Sequence, residues 1–574
     1  VLQYRNWMPD REKRIRNKPA KGEKEMETTA NIGTPEKKSK KWLLGIGALA
    51  AIALAGLGTA YAKLDLFKSA KTIYLEAEAK NLLQLSNDAA AAYEEYEAYM
   101  KPYLEQPVHA TTEVSAISLD AEIPDPAAQA VLDLLQNAKI VVNANLDEQK
   151  QQQSGNVSLH LNDKPLTSLE YFRTDTLFGF QLPDFYSKYA YLDLKDRDAL
   201  QGTFGEELPR RFVTTGDVFK AIQVEKDEVK NALAPYAEMY ANSLKDTQVS
   251  INKDASFEVE GYQTSSKEIT VSFTQEEASA LLTQIAEKAI TDDTLFNLLY
   301  TRYEKLAALM VDSGYPVEVL SKDAFKQEYD KFFTELKEDV KVETKTDEQL
   351  KMVLLVNGDN QILSRKLYFT GKQGNEEQVL WSSASFQNGA EAYHRYSLHD
   401  PENTENSEFT LTYKETEESG KKNGSLSILF VNDAEPQLDF NTTFETAKQD
   451  EKEDGTYSFT LSAQDETTGE RLSLSGTVTS SLTETDGGRQ SAADVNIRFD
   501  QAAPDMPKGV SFKINTREEF GKPLEIPALN ADNSVNLAAL TDAQMMEIQQ
   551  EVGISVQQFM EKHAELFQSF MMMQ

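Results

Sequence analysis

Five histidines, His109, His160, His394, His399 and His563, are the chain's whole supply of imidazole for proton transfer or metal ligation. His394 and His399 stand five apart in "EAYHRYSLHD". On an extended strand an odd separation puts two side chains on opposite faces, which argues against a shared metal. His160 alternates with Val157, Leu159 and Leu161 and falls on the polar side of that pattern. Adjacent carboxylates such as Glu276-Glu277 and Asp292-Asp293 are commonplace among 93 acidic residues, so no spacing singles out a glycosidase pair. "NADNSVN" at 530–536 is oxygen-rich but lacks the glycine and closing glutamate of an EF-hand loop. With no cysteine in the chain, disulfides, thiolate metal sites, cysteine nucleophiles and a lipid-modified cysteine are excluded. Metalloprotease, hydrolase-elbow, P-loop and dinucleotide-binding motifs are also missing. The sequence therefore nominates no catalytic, cofactor-binding or metal-ligating residue.

The elements around these residues are better marked. An apolar content of 40% with 9% aromatics supports packed cores over 574 residues. The net charge of −34 is unevenly spread. Residues 1–41 hold 12 basic and 6 acidic side chains, so the remainder is strongly acidic. Such a surface repels nucleic-acid phosphates and anionic lipid headgroups, and no nucleic-acid partner is expected.

Trp42 to Ala62 contains no charge, and about 20 apolar residues suffice to cross a hydrocarbon core. Lys37, Lys38, Lys40 and Lys41 precede it, and Trp42 and Tyr61 bound it. The positive-inside tendency then places the N-terminus in the cytoplasm and the bulk outside. The reading is a single-pass helix at 42–62, with the lipid bilayer as its partner. Ala60-Tyr61-Ala62 offers the alternative of cleavage after Ala62 and secretion, but the run is longer than an ordinary signal core. Residues 1–41 read as a basic cytoplasmic arm. Within it, 1–25 read as a translated leader before a start at Met26, because "KGEKE" can be encoded by a ribosome-binding sequence.

Residues 63–104 lack glycine and proline until Pro102 and read as one long juxtamembrane helix. Residues 105–340 read as an α+β extracytoplasmic domain, including a helix in "PDPAAQAVLDLLQNA" and a capping box at Thr274 and Glu277. Residues 341–574 read as an antiparallel β-rich domain with C-terminal helices. Its strands alternate as Phe409/Leu411/Tyr413, Leu426/Ile428/Phe430, Tyr457/Phe459/Leu461 and Val495/Ile497/Phe499. Turn signals fall at Asn357-Gly358, Asn423-Gly424, Asp454-Gly455, Thr468-Gly469 and Gly487-Gly488. The expected class is α+β: one transmembrane helix, a helix-plus-antiparallel-sheet unit, then a second, mostly antiparallel unit.

The lysine-flanked span, "YLEAEAKNLLQL", "SFTQEEASALLTQIAEKAITDDTLFNLL" and "VNGDNQILSRKLYF" together resemble an uncharacterised family of single-pass, membrane-anchored exported proteins of Bacillus-type Gram-positive bacteria. The resemblance implies a layout and a cell-envelope location, and no functional residues. The functional expectation is non-enzymatic binding or scaffolding of an unknown envelope protein. The alternative is a carrier or sensor of a lipid or other amphiphile, with an apolar cavity in the first sheet lined by Tyr171, Phe172, Phe178, Phe180, Phe185, Tyr186, Tyr189 and Tyr191. A secreted or anchored hydrolase ranks third.

Overall fold

The computed structural model describes residues 69–120, 136–204, 207–340, 347–370, 377–400, 407–464, 469, 471–485, 487–500 and 507–564. Helix α1 (Ala70–Glu105) opens it, with the Ser69 hydroxyl accepting from the Thr72 amide at 3.2 Å as its N-cap. Then come β1 (Val108–Asp120), β2 (Ala138–Asp147), β3 (Gln152–Leu161), β4 (Lys164–Arg173), β5 (Leu177–Leu182) and β6 (Tyr186–Asp193). Helices α2 (Arg197–Phe204), α3 (Thr215–Ile222) and α4 (Lys226–Ser243) lead to β7 (Val249–Val259) and β8 (Tyr262–Thr274). Three more helices follow, α5 (Gln275–Thr291), α6 (Asp293–Asp312) and α7 (Lys322–Asp339).

A long meander comes next: β9 (Gln349–Val356), β10 (Ile362–Thr370), β11 (Glu377–Asn388), β12 (Glu391–His399), β13 (Glu408–Glu418) and β14 (Lys421–Asn432). It continues through β15 (Glu435–Gln449), β16 (Lys452–Gln464), β17 (Arg471–Thr485), β18 (Gly488–Phe499) and β19 (Gly509–Phe520). A short β20 (Ser534–Asn536) and helix α8 (Asp542–Lys562) complete the described chain.

All twenty strands of the described residues belong to one sheet. β1 pairs on one side with β2 and on the other with β19, so the first strand meets the end of the long meander inside the sheet. β8 pairs directly with β9 across the intervening helices. This corrects the expected α+β class of two separate sheet units. Alternation along a strand shows which residues share a face, but the partner of β1 lies some 400 positions away and leaves no local trace. The outer strands are β7 and β20. The described pairings are antiparallel except β20 with β6.

A second correction concerns the membrane. Among the described residues no helix is long and apolar enough to cross a bilayer. The longest, α1, carries Lys71, Glu76, Glu78 and Lys80 in its first turns. Residues 42–62, on which the single-pass anchor rested, lie outside the described residues, as do 1–41, most of the helix expected at 124–138, and the terminal methionines. The helix-anchored, single-pass placement has no spanning helix among the described residues to support it.

The main core lies where β7–β10 are roofed by helices. Ile269, Val271, Met352 and Leu354 present one sheet face to Tyr74, Tyr236, Tyr240, Leu282, Ile285 and Phe333. Thr274 caps α5 and Glu277 reaches back, the capping box expected from the sequence.

Candidate functional site

The face that forms this core does not stop at β10. Cross-strand pairing carries it from Arg365 on β10 to Ser383 on β11 and Tyr396 on β12. It then runs through Leu411, Ile428, Phe440, Leu461, Leu474 and Phe499 on β13–β18. A neighbouring row ends in Ile497 and Val510, and the face continues onto Ile514, Val114 and Ile140. The opposite face of the same strands carries Ser425, Thr443, Ser458, Thr477 and Asn496. One face is thus apolar over more than a dozen strands and the other is hydroxyl-rich.

Beyond β10 this apolar face loses its roof. No described element besides neighbouring strands packs extensively on β11–β17. Every strongly exposed large hydrophobic residue in a described strand lies on it: Ile140, Leu169, Leu182, Tyr396, Leu398, Phe409 and Leu472. Leu398 and Leu472 are each 54% exposed.

Helix α1 touches this face at two distant points. At its start Glu78 pairs with Arg365 at 2.5 Å, both buried. The Arg365 guanidinium lies 5.3 Å from the Trp381 ring, and the Tyr74 and Tyr240 hydroxyls meet at 2.8 Å. Glu78 Oε1 and Arg365 Nε are buried without a hydrogen-bond partner. Burial pushes the Glu78 carboxyl above its ordinary value against the opposing pull of Arg365, and burial likewise raises Tyr74.

At the far end of the helix, Arg489 of β18 lies 4.1 Å from the Tyr99 ring and donates to the Tyr99 carbonyl and the Tyr103 hydroxyl. Tyr103 in turn donates to Glu518 at 2.7 Å and meets the Phe520 ring edge-on at 5.5 Å. Lys80 donates to the Asp359 carbonyl in the turn before β10.

From Lys80 to Tyr99 the helix advances about 28 Å, whereas eight interstrand steps from β10 to β18 cover about 38 Å. The helix is therefore a chord and the sheet bows away from it. An open trough lies beneath the strap.

Glycines help the sheet bow. Gly424 stands opposite Phe444, Gly476 opposite Phe459 and Gly155 opposite Tyr171, all on the trough face. A Cβ on Gly476 would come within 2.5 Å of the Phe459 ring and of the Asn496 carbonyl. Each ring lies over the missing side chain, a device that permits sheet curvature. Asn423-Gly424 and Asp454-Gly455, expected as turns, are accordingly strand interior. The reversals fall at 419–420 and 450–451, where Ser419, Gly420 and Asp450 take positive φ.

The opposite face holds a separate concavity of about 430 Å³, lined by Asn423, Glu445, Asp454, Thr456, Thr479 and Asp494. Lys452 and Lys513 answer two of its carboxylates, at 2.7 and 3.2 Å.

The residues weighed for chemistry are dispersed. His394 stacks toward Tyr413 on the trough face, while His399 lies on the other face near Glu408, as their odd separation dictates. His160 bonds Ser158, and His109 the Lys522 carbonyl. Asp292 caps α6 by accepting from the amides of Thr294 and Leu295, and Glu277 pairs with Lys245. Asn530 and Asn533 spend their side chains on their own loop. Among the described residues no group of three His, Asp or Glu could hold a metal ion.

The aromatic run at 171–191 divides. Phe172 is fully buried against Tyr189 on the far face, and Phe185 packs on Phe559 of α8. Burial, reinforced by the hydrogen bond that Tyr189 donates to Glu170, pushes its hydroxyl up to about 12. Tyr171, Phe178 and Phe180 remain on the trough face. The broad uncovered surface is thus in the second strand region, where the sequence reading did not place a cavity. Its apolar rows were visible there, and their lack of a roof was not.

No family model matches the chain, and no curated protein matches it. Among solved structures it is similar to OmpT, an outer membrane protein of Vibrio cholerae, at 8% identity over 72% of this chain and 96% of that one, with a TM-score of 0.19. OccK10 of Pseudomonas aeruginosa matches at 7% identity over 72% and 98%, TM-score 0.21. OccAB4 of Acinetobacter baumannii matches at 6% over 72% and 98%, TM-score 0.22. An outer-membrane setting differs from the single-pass anchor expected from the sequence, but scores this low carry no weight for fold or function.

Proposed function

We propose that the protein is a non-catalytic carrier that holds the hydrocarbon of a zwitterionic or neutral amphiphile in the trough between α1 and the sheet. The observation that carries this reading is the segregation of the exposed strand hydrophobics, all on one face of the sheet. Exposed apolar residues gathered on one face, rather than scattered singly, mark an interaction site. The floor strands already spend their backbone groups on one another, so the trough cannot recruit a peptide by strand addition. What its middle rows offer is side-chain hydrocarbon. The acidic excess of the chain disfavours an anionic headgroup.

The test is titration of the full chain with a single-chain zwitterionic phospholipid bearing a fluorescent acyl terminus. One such chain partitions into lipid with an association constant of about 10⁴ M⁻¹, so saturable binding is expected at about 0.1 mM or tighter. Ile428→Lys, in the middle of the floor, should abolish it while leaving far-UV circular dichroism unchanged. Binding that never saturates, or that survives Ile428→Lys, would overturn the proposal.

A further inference from the structure

The two ends of the trough differ in chemistry. At the hairpin tips crossed by α1, the trough face carries Glu415, Glu417 and Lys422, with Lys422 Nζ 3.6 and 3.4 Å from the two carboxylates. Tyr413 donates to Glu415. At the opposite ends of the strands the same face carries Phe409 and its two most exposed hydrophobics, Leu398 and Leu472. Between these ends, from Gly424 to Phe430 on β14, the face runs about 20 Å, against about 15 Å of hydrocarbon in one bilayer leaflet.

We propose that the trough is polarised. The amphiphile lies along the strands, its zwitterionic headgroup at the Glu415–Glu417–Lys422 cluster beneath the strap and its chain running toward Leu398 and Leu472. Lys422 complements a phosphate and the two glutamates an ammonium. The apolar lip at the far end is where hydrocarbon enters and leaves. This rests on the carrier reading and adds to it a direction and the residues that meet the headgroup.

Because the chain has no cysteine, Ser480→Cys near the hairpin tips and Leu472→Cys at the lip can each be labelled alone. Both positions are on the trough face of β17. The probe is a single-chain zwitterionic phospholipid brominated either at the chain terminus or next to the glycerol. Terminal bromines should quench the label at 472 more than that at 480, and headgroup-proximal bromines should reverse the order. An anionic lipid of equal chain length should bind more weakly. Saturable quenching without this reversal overturns the polarity and leaves the carrier reading standing, whereas equal affinity for the anionic lipid overturns the headgroup assignment in both. Absence of saturable quenching at both positions overturns the carrier reading itself.

Discussion

The Glu78–Arg365 pair fixes the near end of the strap, and its removal has a calculable consequence. Both side chains are buried, and each has one polar atom without a partner. Deleting one member leaves a desolvated charge, which costs about 3–5 kcal/mol, whereas replacing both with apolar residues of similar volume is near neutral. Glu78→Ala and Arg365→Ala should therefore each destabilise by that amount, and Glu78→Leu with Arg365→Met by far less than their sum. Urea unfolding followed by Trp381 fluorescence measures this, because Trp381 lies against Arg365. Trp7→Phe and Trp42→Phe remove the other tryptophans.

The pH dependence has a defined sign. Burial raises the Glu78 carboxyl in the folded protein, so the folded state binds the proton more tightly than the unfolded chain. The penalty is absent below the unfolded carboxylate range of about 4.3 and grows as pH rises through the raised folded value. Relative to Glu78→Gln, the native protein should gain stability on acidification through that window. Single variants costing less than about 1 kcal/mol, with a double variant equal to their sum, would refute the placement of this pair as a buried latch.

Other perturbations act on separate parts of the trough. Arg489→Ala removes the clamp on Tyr99 and Tyr103 and should cost about 1–3 kcal/mol, with faster amide exchange confined to the last turns of α1. Gly476→Ala drives a Cβ into the Phe459 ring and the Asn496 carbonyl and should destabilise by about 1–3 kcal/mol, measured by thermal unfolding. Gly553→Ala, in α8 with open space around it, should instead stabilise by about 0.5–1 kcal/mol. Thr274→Ala removes the N-cap of α5 and should cost about 1 kcal/mol by the same measurement.

Much of the sheet was legible because its information is local. The alternation of Leu426, Ile428 and Phe430 with serine and leucine neighbours marks a strand, and Thr274 with Glu277 marks a helix start, without reference to distant residues. Asn423-Gly424 misled because the same dipeptide that favours a turn also leaves space for a ring. The ring is Phe444, twenty positions on, and only the β14–β15 pairing brings the two together. The single sheet was hidden for the same reason, since Val114 meets Ile514 through topology alone. The trough was half legible. Sequence shows that a face is apolar, but whether a helix covers it depends on where α4–α7 pack, and they stop at β10.

The most direct measurement is photo-crosslinking of the full chain with a zwitterionic lipid carrying a diazirine at its acyl terminus, followed by peptide mapping. A carrier trough predicts adducts on the apolar face of β12–β18, at Leu398, Phe409, Phe430, Leu472 and their row neighbours. Adducts on the hydroxyl-rich face, on α8 alone, or spread evenly over the chain would contradict it.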